Sequence, residues 1–220
     1  MKKKILYFKN LKFQKKSIEI LKENFNIVSH YKLKKNNFDN IISVLLPMDN
    51  FYSKEFFNQF KNLRSVVTPT TGDIHLDTDF LKKKKIKIFN LAHKKDKLNN
   101  ITSTSELTIG HILNLTRKIL DIHKKFIKNK KFEKYNHLLS NKMLTVGIVG
   151  LGRIGKHVAN RAQALGFNII YYDPFVDSKK FQKIKNFKQF VKKTNILTIH
   201  MHYKKKYLNM FDIKLLKLLK

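Results

Sequence analysis

Residues 143–173 read MLTVGIVGLGRIGKHVANRAQALGFNIIYYD, and this stretch decides the predicted fold. It opens with an apolar run, 143–149, that is typical of a buried strand. A glycine-rich turn follows at once, and then comes an apolar helical face that stops at Gly166. A second apolar run, 168–172, predicts another strand. The order of strand, turn, helix and strand predicts a βαβ unit of the kind that builds a parallel sheet.

The turn has the pattern G-x-G-x-x-G, formed by Gly150, Gly152 and Gly155. Gly150 permits a tight turn, Gly152 lets the backbone approach a pyrophosphate, and Gly155 lets the helix pack on the strand. The unpaired N–H groups and positive dipole end of this helix favour a phosphate, and Arg153 adds a charged donor beside them. The alternative is a glycine-rich turn without a ligand, which the complete strand-turn-helix context disfavours. Nucleotide contacts are therefore expected at Gly152, Arg153 and Ile154.

Asp173 ends the second strand and follows Gly150 by 23 positions, 173 − 150. An acid at this distance suits the ribose hydroxyls of NAD, and it would repel the 2′-phosphate of NADP unless a neighbouring lysine compensates. The sequence therefore predicts NAD as the cofactor.

The first hundred residues show the same alternation of short apolar runs and helical patterns. This rhythm predicts an α/β fold with a parallel sheet and helical crossovers. The predicted strands are 5–8, 27–28, 41–46, 65–67 and 86–89, with helical patterns around 18–25 and 56–60.

A long helix is predicted in the middle of the chain. Ser103 and Glu106 have the spacing of a capping box, so a helix should begin at Ser103. Apolar residues recur at helical spacing to about Lys128, and residues 129–142 are expected to lead to the next strand. Residues 212–220 also have an amphipathic helical pattern, whose apolar side is expected to pack on the sheet rather than on a membrane.

The 220 residues carry a formal net charge of +32, which raises the question of a nucleic-acid partner. However, only four of the 47 basic residues are arginine, and the 43 lysines (47 − 4) are spread along the chain. Because phosphate and base readers favour the arginine fork, a lysine-driven nucleic-acid binder is a minor alternative. The chain has no cysteine and no apolar run long enough to span a membrane, so we expect a cytoplasmic protein, and no metal site is predicted.

Four segments of the chain carry further patterns: TGDIHLD at 71–77, ITSTSE at 101–106, VGLGRIGK at 149–156 with YDP at 172–174, and NILTIHMH at 195–202. In this order and at these spacings they resemble the D-isomer-specific 2-hydroxyacid dehydrogenases, a family that includes phosphoglycerate, glycerate, lactate and formate dehydrogenases. The resemblance runs over essentially the whole chain.

This resemblance implies an architecture and a function. Residues 1–105 would form a flavodoxin-like substrate domain, and residues 106–220 would form an interdomain helix and part of an incomplete Rossmann NAD-binding domain. The enzyme would transfer a hydride between NAD and a small D-2-hydroxy acid or 2-keto acid. Backbone amides of Thr71 and Gly72 would hold the substrate carboxylate, and His200 would contact the cofactor. A full-length protein is expected to be a homodimer.

The family's catalytic Arg, Glu and His lie downstream of the matching segments, beyond Lys220. The resemblance therefore implies a C-terminally truncated chain without a catalytic residue, with little turnover and an exposed sheet edge. His200 and His202 follow a strand at the ligand-binding edge, but in the family such residues contact cofactor, so neither is expected to replace the missing histidine. The alternative is a non-catalytic fragment that binds NAD or pairs with a homologue through the long helix.

Overall fold

The chain forms two compact units, Met1–Leu98 and Asn99–Lys220. The computed structural model describes residues 2–29, 38–93, 98–130, 139–204 and 207–220. Each unit contains its own parallel sheet with helices between the strands, so the predicted α/β class is confirmed. The domain boundary predicted after residue 105 lies in the first turn of a helix of the second unit.

The first unit has five parallel strands in the order β2-β1-β3-β4-β5. This is the flavodoxin-like strand order, in which the chain starts inside the sheet and reverses direction once. Its elements are β1 (Lys3–Tyr7), α1 (Lys15–Asn24), β2 (Phe25–Ser29), β3 (Ile41–Leu45), α2 (Lys54–Asn58), β4 (Ser65–Val67), α3 (Thr78–Lys83) and β5 (Lys87–Phe89).

Both faces of this first sheet are covered, because successive side chains of a strand point to opposite faces. In β1, Leu6 belongs to one buried cluster together with Val44 and Val66 of the neighbouring strands. Its chain neighbours Ile5 and Tyr7 belong to a second cluster. A sheet buried on both faces explains why its strands read as nearly continuous apolar runs in the sequence.

The second unit has four parallel strands in the order β8-β7-β6-β9. Numbered within the unit this is 3-2-1-4, the order at the centre of a Rossmann sheet. Its elements are α4 (Ser103–Arg117), α5 (Ile119–Asn129), β6 (Thr145–Val149), α6 (Arg153–Ala164), β7 (Asn168–Tyr172), β8 (Gln182–Lys183), α7 (Phe187–Lys192), β9 (Ile196–Ile199) and α8 (Ile213–Leu216).

The long helix predicted from Ser103 to about Lys128 is in fact two helices, so the prediction of one helix was wrong. The break is at Lys118, whose backbone is left-handed with φ 50° and ψ 35°. Asn114 stabilises the break with its backbone carbonyl and with its side-chain oxygen. Its carbonyl accepts from the Lys118 amide, and its side-chain Oδ1 accepts from the Leu120 amide at 3.0 Å, beginning α5.

The N-terminus of α4 also differs from the predicted capping box by one residue. Thr102, not Ser103, is the cap: its carbonyl accepts from the amides of Ser105 and Glu106, and its hydroxyl donates to the Glu106 carboxylate. The side chain of Thr102 caps no backbone amide. In place of the predicted capping box, the Thr102 hydroxyl and the Glu106 carboxylate form a side-chain hydrogen bond at the same helix end.

The C-terminal helix is shorter than the predicted 212–220, because α8 ends at Leu216. Asp212 caps it, accepting from the Leu215 amide at 2.7 Å. The predicted packing is confirmed, since Leu215, Leu218 and Leu219 lie against a buried cluster of the second sheet. Of the predicted connection 129–142, residues 131–138 lie outside the described residues. Among the described residues, no helix is long and apolar enough to cross a bilayer.

Candidate functional site at the carboxyl edge of the second sheet

Strand β6 ends at the point where the strand order of the second sheet reverses, with β7 on one side and β9 on the other. Open parallel sheets bind ligands in the crevice at such a position. The glycine turn begins here with Gly150, whose φ is +90°. An added Cβ at Gly150 would lie 2.8 Å from the carbonyl oxygen of His200, so both the conformation and the close approach require glycine.

The other two glycines of the turn differ sharply in their surroundings. A Cβ on Gly155 would collide with the carbonyl oxygen of Gly150, because α6 packs directly on the turn. A Cβ on Gly152 would meet nothing within 4 Å, and its backbone has the ordinary φ of −73°. The fold therefore requires glycine at 155 but not at 152, where the backbone is open to a ligand.

The N-terminus of α6 offers unpaired backbone donors. Gly152 is its cap and has no side chain to accept from the first amides. The Gly152 carbonyl receives the first helical bond, from the Lys156 amide at 2.9 Å. Within the described part of the chain, the amides of Gly152 and Ile154 donate no hydrogen bond. These donors, at the positive end of a twelve-residue helix, form an environment that suits an anion.

Asp173 is buried, and its carboxylate is directed at the glycine turn. Oδ2 accepts from the Leu151 amide at 2.8 Å. Oδ1 accepts from the amides of Phe175 at 2.8 Å and Val176 at 3.1 Å. A carboxylate has about four acceptor positions, so Oδ2 keeps one for a further donor. The sequence did not indicate the bond to Leu151, because that residue is an unrestricted position of the glycine pattern.

His200 follows β9 and forms the opposite wall of the turn. Its amide donates to the Val149 carbonyl at 2.7 Å, which extends the pairing of β9 with β6 and places the His200 backbone against Gly150. Its ring Nε2 lies 2.9 Å from the Thr198 hydroxyl. Burial lowers the pKa of His200 below its usual value, which favours a neutral ring. His202 is exposed beyond this point.

Arg153 is the first residue of α6, and its side chain points away from the predicted role of charged donor to a phosphate. One guanidinium nitrogen, Nη1, donates to the carbonyl oxygen of Ile101 at 2.8 Å. The role of Arg153 as a charged donor to a phosphate therefore stays a prediction, and in this structure its guanidinium joins α6 to the residues just before α4. Contacts across 52 positions of sequence give no local signal in a single chain.

The predicted substrate loop lies in the first unit, after β4. Thr70 donates its hydroxyl to the Gly72 carbonyl at 2.6 Å, which forms a tight side-chain turn. Thr71 and Gly72 are half-exposed, and their amides donate no hydrogen bond to any described residue. A Cβ on Gly72 would meet nothing within 4 Å. The loop thus presents two adjacent unpaired amides.

Comparison with known proteins identifies the family of the chain. The family described as "D-isomer specific 2-hydroxyacid dehydrogenase, NAD binding domain" has a sequence model that matches residues 109–220. The chain belongs to this family. The matched residues contain the Rossmann strands and the glycine turn, and the cofactor of this domain is NAD.

Two curated relatives illustrate the similarity. The chain is 29% identical over 153 residues to D-3-phosphoglycerate dehydrogenase of Bacillus subtilis, covering 67% of this chain and 28% of the relative. It is 31% identical over 144 residues to erythronate-4-phosphate dehydrogenase of Acinetobacter baumannii, covering 66% of this chain and 34% of the relative. The match therefore spans about a third or less of these relatives.

Solved structures show the same fold over nearly all of the chain. D-lactate dehydrogenase from Aquifex aeolicus, complexed with NAD and lactic acid, has a TM-score of 0.80 at 20% identity, covering 98% of this chain and 66% of that structure. An acyclic imino acid reductase in complex with NADPH and D-Arg has a TM-score of 0.81 at 21% identity, covering 99% and 71%.

Proposed function

We propose that the chain binds NAD at the carboxyl edge of the second sheet and contributes this site to an oxidoreductase acting on the CH–OH group of a small D-2-hydroxy acid. The observation that carries the proposal is Gly152. Neither backbone conformation nor packing requires glycine at this helix cap, where asparagine, aspartate or serine would be the stronger caps. A ligand that approaches the backbone closely accounts for it.

The residues of the turn would share the binding of NAD. The amides of Gly152 and Ile154, with the positive end of α6, would hold the pyrophosphate. Asp173 would accept a hydrogen bond from a ribose hydroxyl at the unused position of Oδ2, while its three bonds from backbone amides hold the carboxylate in place. The backbones of Gly150, Gly155 and His200 would shape the turn without contacting the reacting atoms. When bound, the nicotinamide supplies or accepts the hydride.

The loop of the first unit would bind the acid substrate. Two adjacent backbone amides, of Thr71 and Gly72, are donors of the kind that hold a carboxylate without adding charge. Their role comes from the family resemblance and from their lack of other partners in the described structure. Proton transfer to or from the substrate oxygen needs an acid–base group. We propose no residue of this chain for that role.

Fluorescence titration of NADH against the chain tests the cofactor site. Asp173→Ala removes the ribose acceptor and is expected to weaken NADH binding at least tenfold, about 1.4 kcal/mol. Asp177→Ala is the matched control: it removes a carboxylate four positions away that pairs with Lys183 in solvent, and it should leave NADH binding unchanged. If folded Asp173→Ala binds NADH as the parent does, the cofactor assignment fails.

We also propose that the chain forms a homodimer through α4 and α5. Helix α5 buries none of its residues. Large apolar side chains of the two helices are exposed, among them Leu107, Leu115, Leu120 and Ile127. Exposed apolar surface of this kind usually belongs to an interface. The alternative of a non-catalytic partner-binding protein would use the same face with a homologue.

Sedimentation analysis at two salt concentrations tests the dimer. Because each copy carries a net charge of +32, screening by salt should strengthen self-association. Leu120→Gln should weaken the dimer, whereas Leu208→Gln, at a leucine after β9 that is slightly more exposed, should not. A chain that stays monomeric at every salt concentration would exclude this interface.

A further inference from the structure

His75 is buried in the first unit, although it lies on the loop that carries Thr71 and Gly72. Its Nε2 is 3.1 Å from the hydroxyl of Thr68, a residue that follows β4 and is itself buried. Its Nδ1 is buried and has no hydrogen-bond partner among the described residues. Buried polar atoms are normally hydrogen-bonded, so the state of this unpartnered nitrogen depends on which ring nitrogen carries the proton.

The hydroxyl of Thr68 continues into a chain of hydrogen bonds that reaches the loop. Thr68 Oγ1 lies 3.0 Å from Thr70 Oγ1, and Thr70 Oγ1 donates to the Gly72 carbonyl at 2.6 Å. Three contacts thus connect His75 to the peptide carbonyl of Gly72. The third of them also closes the turn that contains the Thr71 and Gly72 amides.

The positions of the protons in this series of hydrogen bonds follow from its last acceptor, the Gly72 carbonyl. A carbonyl only accepts, so Thr70 must use its single hydroxyl proton on Gly72. Thr68 must then donate to Thr70, because Thr70 has no other proton to give. With its own proton used, Thr68 can only accept from His75. His75 must therefore carry its proton on Nε2, which leaves Nδ1 as an unprotonated acceptor.

This assignment also explains the unpartnered nitrogen. An imidazolium would bury a second N–H without an acceptor, whereas the neutral ring leaves only a lone pair unsatisfied. In agreement, burial lowers the pKa of His75, although the carboxylates of Asp73 and Asp49 act in the opposite direction. The ring is thus a neutral donor at the start of the hydrogen-bond chain.

We infer that His75 is a positioning residue for the carboxylate-binding loop: acting through Thr68 and Thr70, it fixes the Gly72 carbonyl and so holds the two unpaired amides in one arrangement. This inference rests on the proposed substrate role of Thr71 and Gly72. A donor at Nε2 is required, because its loss would leave Thr68 free to turn its hydroxyl toward the ring. Thr70 would then lose the hydrogen bond that it accepts from Thr68.

Nitrogen-15 NMR of the histidine ring tests the hydrogen-bond chain without any ligand. The ring of His75 should be the Nε2–H tautomer in the parent chain. Thr70→Val removes the hydroxyl that accepts from Thr68, which frees Thr68 to donate to Nε2, and the tautomer should shift toward Nδ1–H. Thr70→Ser keeps the hydroxyl and should keep the parent tautomer. An Nδ1–H tautomer in the parent chain would overturn the inference.

The amide signals of Thr71 and Gly72 test the positioning role, with pyruvate as the carboxylate probe. Pyruvate should shift both signals in the parent and in Thr70→Ser, and its Kd should rise at least fivefold in Thr70→Val. If the parent binds pyruvate at these amides and Thr70→Val binds it equally well, the positioning role is overturned and the substrate role stands. If pyruvate shifts neither amide in the parent, the substrate role fails, and the positioning role fails with it.

Discussion

Gly152→Ala is the most informative single change in the glycine turn, because it separates the needs of the fold from the needs of a ligand. The added Cβ meets no atom within 4 Å, and the backbone at φ −73° and ψ −161° is open to any residue. Because alanine is a weaker helix cap than glycine, the free energy of unfolding should fall by no more than about 1 kcal/mol. A loss of NADH affinity that exceeds this change must come from the contact between residue 152 and the ligand.

The expected loss of NADH affinity follows from the unpaired amides. A methyl group at Gly152 occupies the space through which a pyrophosphate must approach the Gly152 and Ile154 amides. Two hydrogen bonds to a charged acceptor are lost, at about 1.5–3 kcal/mol each. The total of at least about 3 kcal/mol corresponds to a Kd raised on the order of a hundredfold.

Two matched glycine variants complete the experiment, measured by NADH fluorescence and by urea unfolding. Gly155→Ala places its Cβ against the Gly150 carbonyl and should lose about 1–3 kcal/mol of stability. Gly110→Ala, inside α4 with no atom within 4 Å, should gain about 0.5–1 kcal/mol and keep NADH affinity. If Gly152→Ala stays folded and binds NADH like the parent chain, the reasoning about this turn is refuted.

Three further predictions concern stability. Lys118 has a left-handed backbone, which glycine adopts without strain. Lys118→Gly should therefore raise the free energy of unfolding by about 1 kcal/mol and the Tm by about 2–4 °C in calorimetry. A lower Tm would contradict this account of the break. Gly147→Ala puts a Cβ onto the Thr194 hydroxyl and should lower the urea-unfolding free energy by about 1–3 kcal/mol, so an unchanged midpoint would show that β6 can shift. Burial lowers the pKa of both His75 and His200 below the usual 6.5, so the unfolded chain binds more protons below that pH. The unfolding free energy should therefore decrease as pH falls from about 7 into the window between 6.5 and the lowered values, and a profile flat across it would contradict the burial of these rings.

Elements bounded by strong local signals were predictable from the sequence. Strand β7 was predicted with its observed limits, because an apolar run lies between the helix stop at Gly166 and the acid at Asp173. Strand β4 was likewise predicted residue for residue. The glycine turn was predictable because three glycines at fixed spacing leave few alternatives after a buried strand. These signals were enough to predict the class of the fold and the position of the glycine turn.

The features that sequence reasoning missed depend on contacts between distant or unremarkable residues. Apolar residues keep their helical spacing across Lys118, so the sequence pattern does not show the break between α4 and α5. The break is stabilised by the side chain of Asn114. The bond from Arg153 to Ile101 joins residues of unrelated segments. The hydrogen-bond chain from His75 to Gly72 uses two threonines whose hydroxyl directions no pattern specifies.

The two proposed anion sites would bind their ligands in the same way, through backbone amides. Each lies just after the carboxyl end of a strand, β4 in the first unit and β6 in the second. Each presents a pair of backbone amides that have no partner in the described parts of the chain. In each, a buried polar side chain, His75 or Asp173, stabilises the turn through hydrogen bonds. Uncharged amides select an anion by geometry, which scattered lysines cannot do. The strong positive charge of the chain therefore does not account for either site, and the local backbone does.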